Sequence, residues 1–152
     1  MMEMPHFLGT LMGKKPDALQ VAALCLRRPD AETTKDVEVL LVSSLDTGRW
    51  IVPKGWPMRG KTLAEAALRE AWEEAGVKGT VKHEPVGNYV YTKVRKTGLD
   101  QRCQVLCFIV DVEELEDKYP EAGRRKRKWV TPKAAAKRVQ EKDLKLLLRT
   151  LS

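Results

Sequence analysis

The chain has 152 residues, 43% of them hydrophobic and 32% charged, a composition that suits one globular domain burying roughly two-thirds of its unfolded surface and excludes disorder as the main state. Its net charge of +7 is local: residues 124–152 carry 11 Lys or Arg against two acids, a net +9, and the remaining 123 residues sum to −2.

A single domain over 1–152 is expected, with 1–17 as a flexible N-terminal segment. That segment lacks the basic start and long apolar core of a secretory signal. The longest apolar runs, Val21 to Leu26 and Val105 to Val110, fall far short of the ~18 residues that suggest a membrane span. A cytoplasmic protein with no membrane contact is expected. Runs rich in β-branched residues at Leu19 to Leu26, Val37 to Val42 and Trp50 to Val52 read as strands, separated by the polar loops RRPDAETTKD and SSLDTGR.

After Gly60 the period changes. Thr62, with Glu65 three residues on, is a capping-box start, and Gly76 is a left-handed stop. Residues 79–94 alternate weakly, GLDQ at 98–101 suits a hairpin turn, and Val105 to Val112 is a buried strand. Trp129 and Val130 form one more short strand. Thr131 caps a helix with Pro132 in its first position, and Leu144, Leu147, Leu148 and Leu151 recur at helical spacing. The interleaving predicts an α/β fold, a mixed central sheet with helices packed on it. Cys25, Cys103 and Cys107 lie in apolar runs, and an odd number without paired spacing predicts buried, reduced thiols.

The helix opened by Thr62 carries the chemistry. At about 100° per residue, Ala64, Ala67, Leu68, Ala71 and Ala75 share a small apolar side, while Glu70, Glu73 and Glu74 lie on the adjoining one, together with Leu63 and Ala66. The carboxylates therefore sit at the edge of the buried face. Like charges so close raise each other's pKa unless a cation compensates. Hard divalent ions such as Mg²⁺ or Mn²⁺ take such oxygen ligands. Two distant histidines, His6 and His83, with no cysteine beside them make zinc a poor alternative. A bare acidic triplet is usually a solvated face, so the decision rests on the loop before the helix, which holds Lys54 and Gly55.

Gly55, Arg69, Glu70, Glu73, Glu74, Gly76 and Val77 fall at the spacing of the Nudix box, and the stretch is identified by resemblance to that family. Two positions depart: Lys61 stands where the box has its first Glu, and Ala71 stands at an aliphatic position. Glu65, one turn before Arg69, is a replacement partner for that arginine. The segments AALCLR, EVLLVSS, RWIVPKG, EEAGVKG and RKRKW resemble the diphosphoinositol polyphosphate and diadenosine polyphosphate phosphohydrolase branch, in order, over residues 20 to about 150.

The resemblance implies a Nudix-type α/β/α sandwich and a hydrolase of phosphoanhydrides that uses Mg²⁺ or Mn²⁺ on a small-molecule polyphosphate. It implies metal ligation by Glu70, Glu74, Glu73 and the Gly55 carbonyl, and a general base in Glu74 or Glu73, or a metal-bound hydroxide with no separate base. Arg69 is expected to orient Glu73. Lys54, Arg102, Arg125, Arg127 and Lys142 are the substrate-phosphate candidates, with Arg125 and Arg127 on one face of a strand running into Trp129. Trp56 either stacks on a base or packs in the core, and Trp72, opposite the carboxylates, is expected to pack against another helix or a partner. Leu19, Gln20 and Val21 replace the basic residues of inositol-specific members, which favours a dinucleoside polyphosphate. Two alternatives stand beside this reading. One is another Nudix substrate: a nucleotide sugar, a capped RNA or a noncanonical nucleoside triphosphate. The other is a non-catalytic RNA-binding module using the basic C-terminal surface.

Overall fold

The structure, a computed structural model, describes residues 17–29 and 36–151. The predicted flexible segment, except for Asp17, and most of the first polar loop lie outside the described residues. In chain order the elements are β1 (Ala18–Arg27), β2 (Glu38–Ser43), β3 (Trp50–Ile51), β4 (Lys54–Gly55), helix α1 (Leu63–Ala75), β5 (Val77–Val81), β6 (Gly87–Lys93), β7 (Gln101–Leu115), β8 (Arg127–Val130), α2 (Pro132–Arg138) and α3 (Lys142–Arg149).

The sheet is mixed. β1 runs parallel to β7 from Ala18↔Cys103 to Leu26↔Asp111, and the other pairings are antiparallel. β7 is long because β6 pairs with its first half and β5 with its second. Alternate residues of β1 serve opposite faces. Val21, Ala23 and Cys25 pack with α1, whereas Ala22 and Leu24 pack with α2 and α3. Both faces of the central strands are covered, so Val21 to Cys25 is a fully buried run rather than an alternating one. The α/β/α sandwich follows. Among the described residues no helix is long and apolar enough to cross a membrane.

α1 forms where local chemistry starts and stops it. Thr62 accepts from the Glu65 amide at 3.1 Å, and Glu65 returns the bond to the Thr62 amide at 2.8 Å. Gly76 ends the helix at φ 72°, its N–H reaching the Ala71 and Trp72 carbonyls. A Cβ there would lie 2.6 Å from the Tyr119 ring and 2.7 Å from the Glu116 carbonyl oxygen. Gly76→Ala is therefore expected to destabilise by at least about 2 kcal/mol, left-handed strain plus clash. In a domain of this size that lowers the melting temperature by about 4–8 °C, measurable by thermal denaturation.

Five readings need correction or sharpening. The expected loop at Lys54–Gly55 is a short strand paired with Val21 and Ala22 of β1, a main-chain contact that no side-chain pattern signals. The weakly alternating 79–94 region is two strands, β5 and β6. Glu65 is committed to the capping box rather than to Arg69. Trp72 packs edge-on to Tyr119, 6.5 Å between ring centres, under the Lys78 ammonium, and Tyr119 belongs to a loop rather than to another helix. Arg125 precedes β8 instead of sharing a strand with Arg127.

Candidate active site

The alanine face lets α1 lie close on the sheet, since Ala64, Ala66, Ala67, Ala71 and Ala75 are at most 2% exposed. With the helix this near, Glu74 is itself buried, at 6% exposure, at the edge of that face as the helical angles place it. Glu70, one turn earlier, rests on Gly55. A Cβ at residue 55 would fall 1.7 Å from Glu70 Oε2, so only glycine leaves room for that carboxylate. β4 holds the contact in place: its pairing with β1 fixes the Lys54–Gly55 backbone, and the Lys54 amide donates to Glu74 Oε1 at 3.4 Å.

Burial pushes the Glu74 carboxyl up to about 7, against the pull of Arg125 and Lys54. Burial also raises Glu70 to about 7, aided by the charges of Glu74, Glu73 and Glu121. Both carboxylates are poorly compensated as anions, and both offer hard oxygen donors. A divalent cation fits them chemically. Arg125 supplies part of the compensation, with Nη2 3.8 Å from Glu74 Oε2, Nε 3.2 Å from Glu121 and Nη1 donating to the Ser43 carbonyl at 3.2 Å. Among the described residues no three His, Cys, Asp or Glu side chains are grouped so as to hold a metal ion between them.

Lys54, Gly55, Trp56, Glu70, Glu74 and Arg125 line an open cleft of about 920 Å³. Gln20, Arg49, Tyr91, Lys93, Arg95 and Lys96 also face it. Burial lowers the pKa of the Lys54 ammonium, which stands 5.0 Å from the centre of the Tyr91 ring. The Tyr91 hydroxyl donates to Gln20 at 2.6 Å.

Of the predicted residues, the structure brings together Lys54, Gly55, Glu70, Glu74 and Arg125. Glu73 meets Glu70 and accepts from Arg69 Nε at 3.3 Å, an i,i+4 pair on the exposed side of α1. Arg127 is not brought in. Its guanidinium donates to the Ala75 and Glu116 carbonyls at 3.0 and 2.8 Å and lies over Tyr119, bracing the end of α1. Arg102 pairs with Asp17 at 3.2 Å on the exposed start of β7, and Lys142 is exposed at the start of α3. Neither lines the cleft. Trp56 is 42% exposed at the cleft, not in the core. Lys61 is exposed in the turn before α1, its amide donating to Met58. Glu65 is held below the usual carboxylate range by the Thr62 backbone, with Lys61 adding to it.

Sequence reasoning missed Arg49 and Glu141, 92 positions apart. Arg49 Nη2 donates to Glu141 Oε2 at 2.6 Å, and both side chains are largely buried. No sequence signal joins them beyond the single arginine before the Trp50 strand. Removing one member leaves the other as a buried unpaired charge. Glu141→Ala is expected to cost about 3–5 kcal/mol in chemical denaturation, and the apolar pair Arg49→Met with Glu141→Leu to cost less than the single change.

A NUDIX domain family model matches residues 18–150. Among curated proteins, Nudix hydrolase 12, mitochondrial, of Arabidopsis thaliana is 42% identical over 103 residues, covering 65% of this chain and 50% of that protein. Diphosphoinositol polyphosphate phosphohydrolase 3-beta of Bos taurus is 32% identical over 124 residues, covering 80% of this chain and 68% of that protein. The chain spans about half the length of the Arabidopsis relatives Nudix hydrolase 12 and Nudix hydrolase 13. Among solved structures, a binary complex of a C. elegans Ap4A hydrolase superposes with a TM-score of 0.62 over 88% of this chain and 94% of that one. Its identity is 20%, a likeness of fold.

Proposed function

The chain belongs to the Nudix family, and from that premise we propose that it hydrolyses phosphoanhydride bonds in dinucleoside polyphosphates or diphosphoinositol polyphosphates with the help of Mg²⁺ or Mn²⁺. The observation that carries the reading is the packing of the Glu70 carboxylate on Gly55 beside the buried Glu74, in a cleft whose other charged groups are mostly cations. Such a cleft matches a substrate with several negative charges and a place for a cation between them.

Glu70, Glu74, Glu73 and the Gly55 carbonyl would hold the metal, which when bound neutralises phosphate charge and sharpens the attacking water. In the reaction, water adds to one phosphorus, the anhydride P–O bond breaks, and two phosphate ends leave. Glu74 is the favoured acceptor of the water's proton because it lines the cleft, whereas Glu73 turns to Arg69. Arg69 holds Glu73 in orientation. Lys54 and Arg125 neutralise the phosphates on either side of the cleaved bond. We leave Arg102, Arg127 and Lys142 out of this set: Arg102 pairs with Asp17, Arg127 donates to the carbonyls of Ala75 and Glu116, and none of the three lines the cleft.

Gln20 lines the cleft at a position where the inositol-specific pattern has a basic residue nearby, which favours the dinucleoside polyphosphate. A cytoplasmic location belongs to the same proposal. The test is a panel of dinucleoside polyphosphates, diphosphoinositol polyphosphates, a nucleotide sugar, capped RNA and a noncanonical nucleoside triphosphate, each with Mg²⁺ or Mn²⁺, read by product chromatography. Turnover of the first two classes supports the reading. A folded protein that turns over neither sinks it.

A further inference from the structure

One face of β6 carries a graded row of side chains that runs from the core out to the cleft. Tyr89 is buried, Tyr91 is partly buried and Lys93 is exposed, and strand alternation puts the three on one face. Tyr91 and Lys93 line the cleft, and the hairpin that follows adds Arg95 and Lys96. Arg95 donates to Gln101 across that hairpin. Lys96 makes no ion pair among the described residues.

Two short bridges connect this wall to the carboxylates. Lys54, bonded through its amide to Glu74, has its ammonium over Tyr91. Trp56, next to the Gly55–Glu70 contact, has the Lys93 ammonium 5.3 Å from its ring centre. The hairpin cations therefore border the same space as the carboxylates, yet the mechanism above uses none of them. A further set of cations bordering the cleft suits a substrate that carries more phosphate than the reaction consumes.

We propose that Lys93, Arg95 and Lys96 form a subsite for phosphates remote from the cleaved anhydride, through which the cleft selects long linear polyphosphate chains. This rests on the hydrolase reading and names residues that the box leaves silent. A longer chain reaches more of the three cations, so kcat/KM rises with the number of bridging phosphates. The pairs are exposed at the mouth, so the preference weakens as salt is raised.

The test compares the wild type with Lys93→Gln/Arg95→Gln/Lys96→Gln on dinucleoside tri-, tetra-, penta- and hexaphosphates. A screened surface pair contributes about threefold, so the triple variant should lose roughly 30-fold on the hexaphosphate and less than about threefold on the triphosphate. The single variant Lys96→Glu, which disturbs no described ion pair, should show the same trend if the triple variant fails to fold. Calorimetric binding of inorganic tripolyphosphate to the metal-free protein gives a readout independent of turnover, and it should weaken in both variants. Equal losses at every length, or none, overturn the subsite. If neither dinucleoside nor diphosphoinositol polyphosphates are turned over while tripolyphosphate binding still depends on the hairpin, the hydrolase reading fails and the anion subsite stands.

Discussion

Glu74→Gln is expected to lower kcat by about 10²- to 10⁴-fold, the span of a lost general base, with the melting temperature unchanged or raised. Activity and stability part here for a physical reason. The Glu74 carboxylate is buried at 6% exposure, and desolvation is the largest influence on its pKa. An amide of the same shape removes that charge without leaving a void. Arg125 keeps Glu121 and the Ser43 carbonyl as partners, so it is not orphaned by the change. The same variant should blunt metal binding. At 100 times its Kd, Mg²⁺ stabilises a folded protein by about 2.7 kcal/mol. For a domain of this size that raises the wild-type melting temperature by about 5–10 °C. Differential scanning calorimetry should show a clearly smaller rise for Glu74→Gln. Full activity, or an equal metal-induced rise, would refute the part assigned to Glu74.

Gly55→Ala should separate position from stability still more sharply. The added methyl would coincide with the Glu70 carboxylate, 1.7 Å from Oε2 and 2.3 Å from Cδ. Gly55 does not have a positive φ, so the backbone accepts alanine without strain. What must yield is the end of a flexible glutamate, a side chain that can turn toward the open cleft. The fold therefore loses little, whereas the carboxylate is displaced by more than the about 1 Å that already costs roughly 10²-fold in catalysis. Steady-state kinetics should show a fall of about 10²-fold or more in kcat, and thermal denaturation only a small shift. Retained activity would show that Glu70 does not need its seat on Gly55.

The central strands and α1 were legible because their causes are local. β1 and β7 are buried on both faces, and their apolar runs register it. Thr62, Glu65 and Gly76 start and stop α1 through bonds that span three to five residues. The Leu144 and Leu148 spacing likewise announces α3, where both are fully buried. β4 escaped the sequence because two residues paired through their main chain leave no side-chain period. The separation of Arg125 from Arg127 escaped it too. The turn before β8 directs one guanidinium to Glu74 and the other to the carbonyls at the end of α1.

By itself the sequence determined the family, and with it the donor set that we propose. Gly55 and the glutamates of α1 lie in one short stretch of chain, strand β4 followed by the helix, whose spacing carries the family pattern. Only the tertiary structure decided which cations share the cleft with them. Arg49, Lys54, Lys93 with Arg95 and Lys96, and Arg125 come from four separate segments. The sheet brings them together through β1 pairing with β4 and β7, β2 with β3 and β8, and β6 with β7, and backbone pairing of this kind has no counterpart in the local spacing of charges.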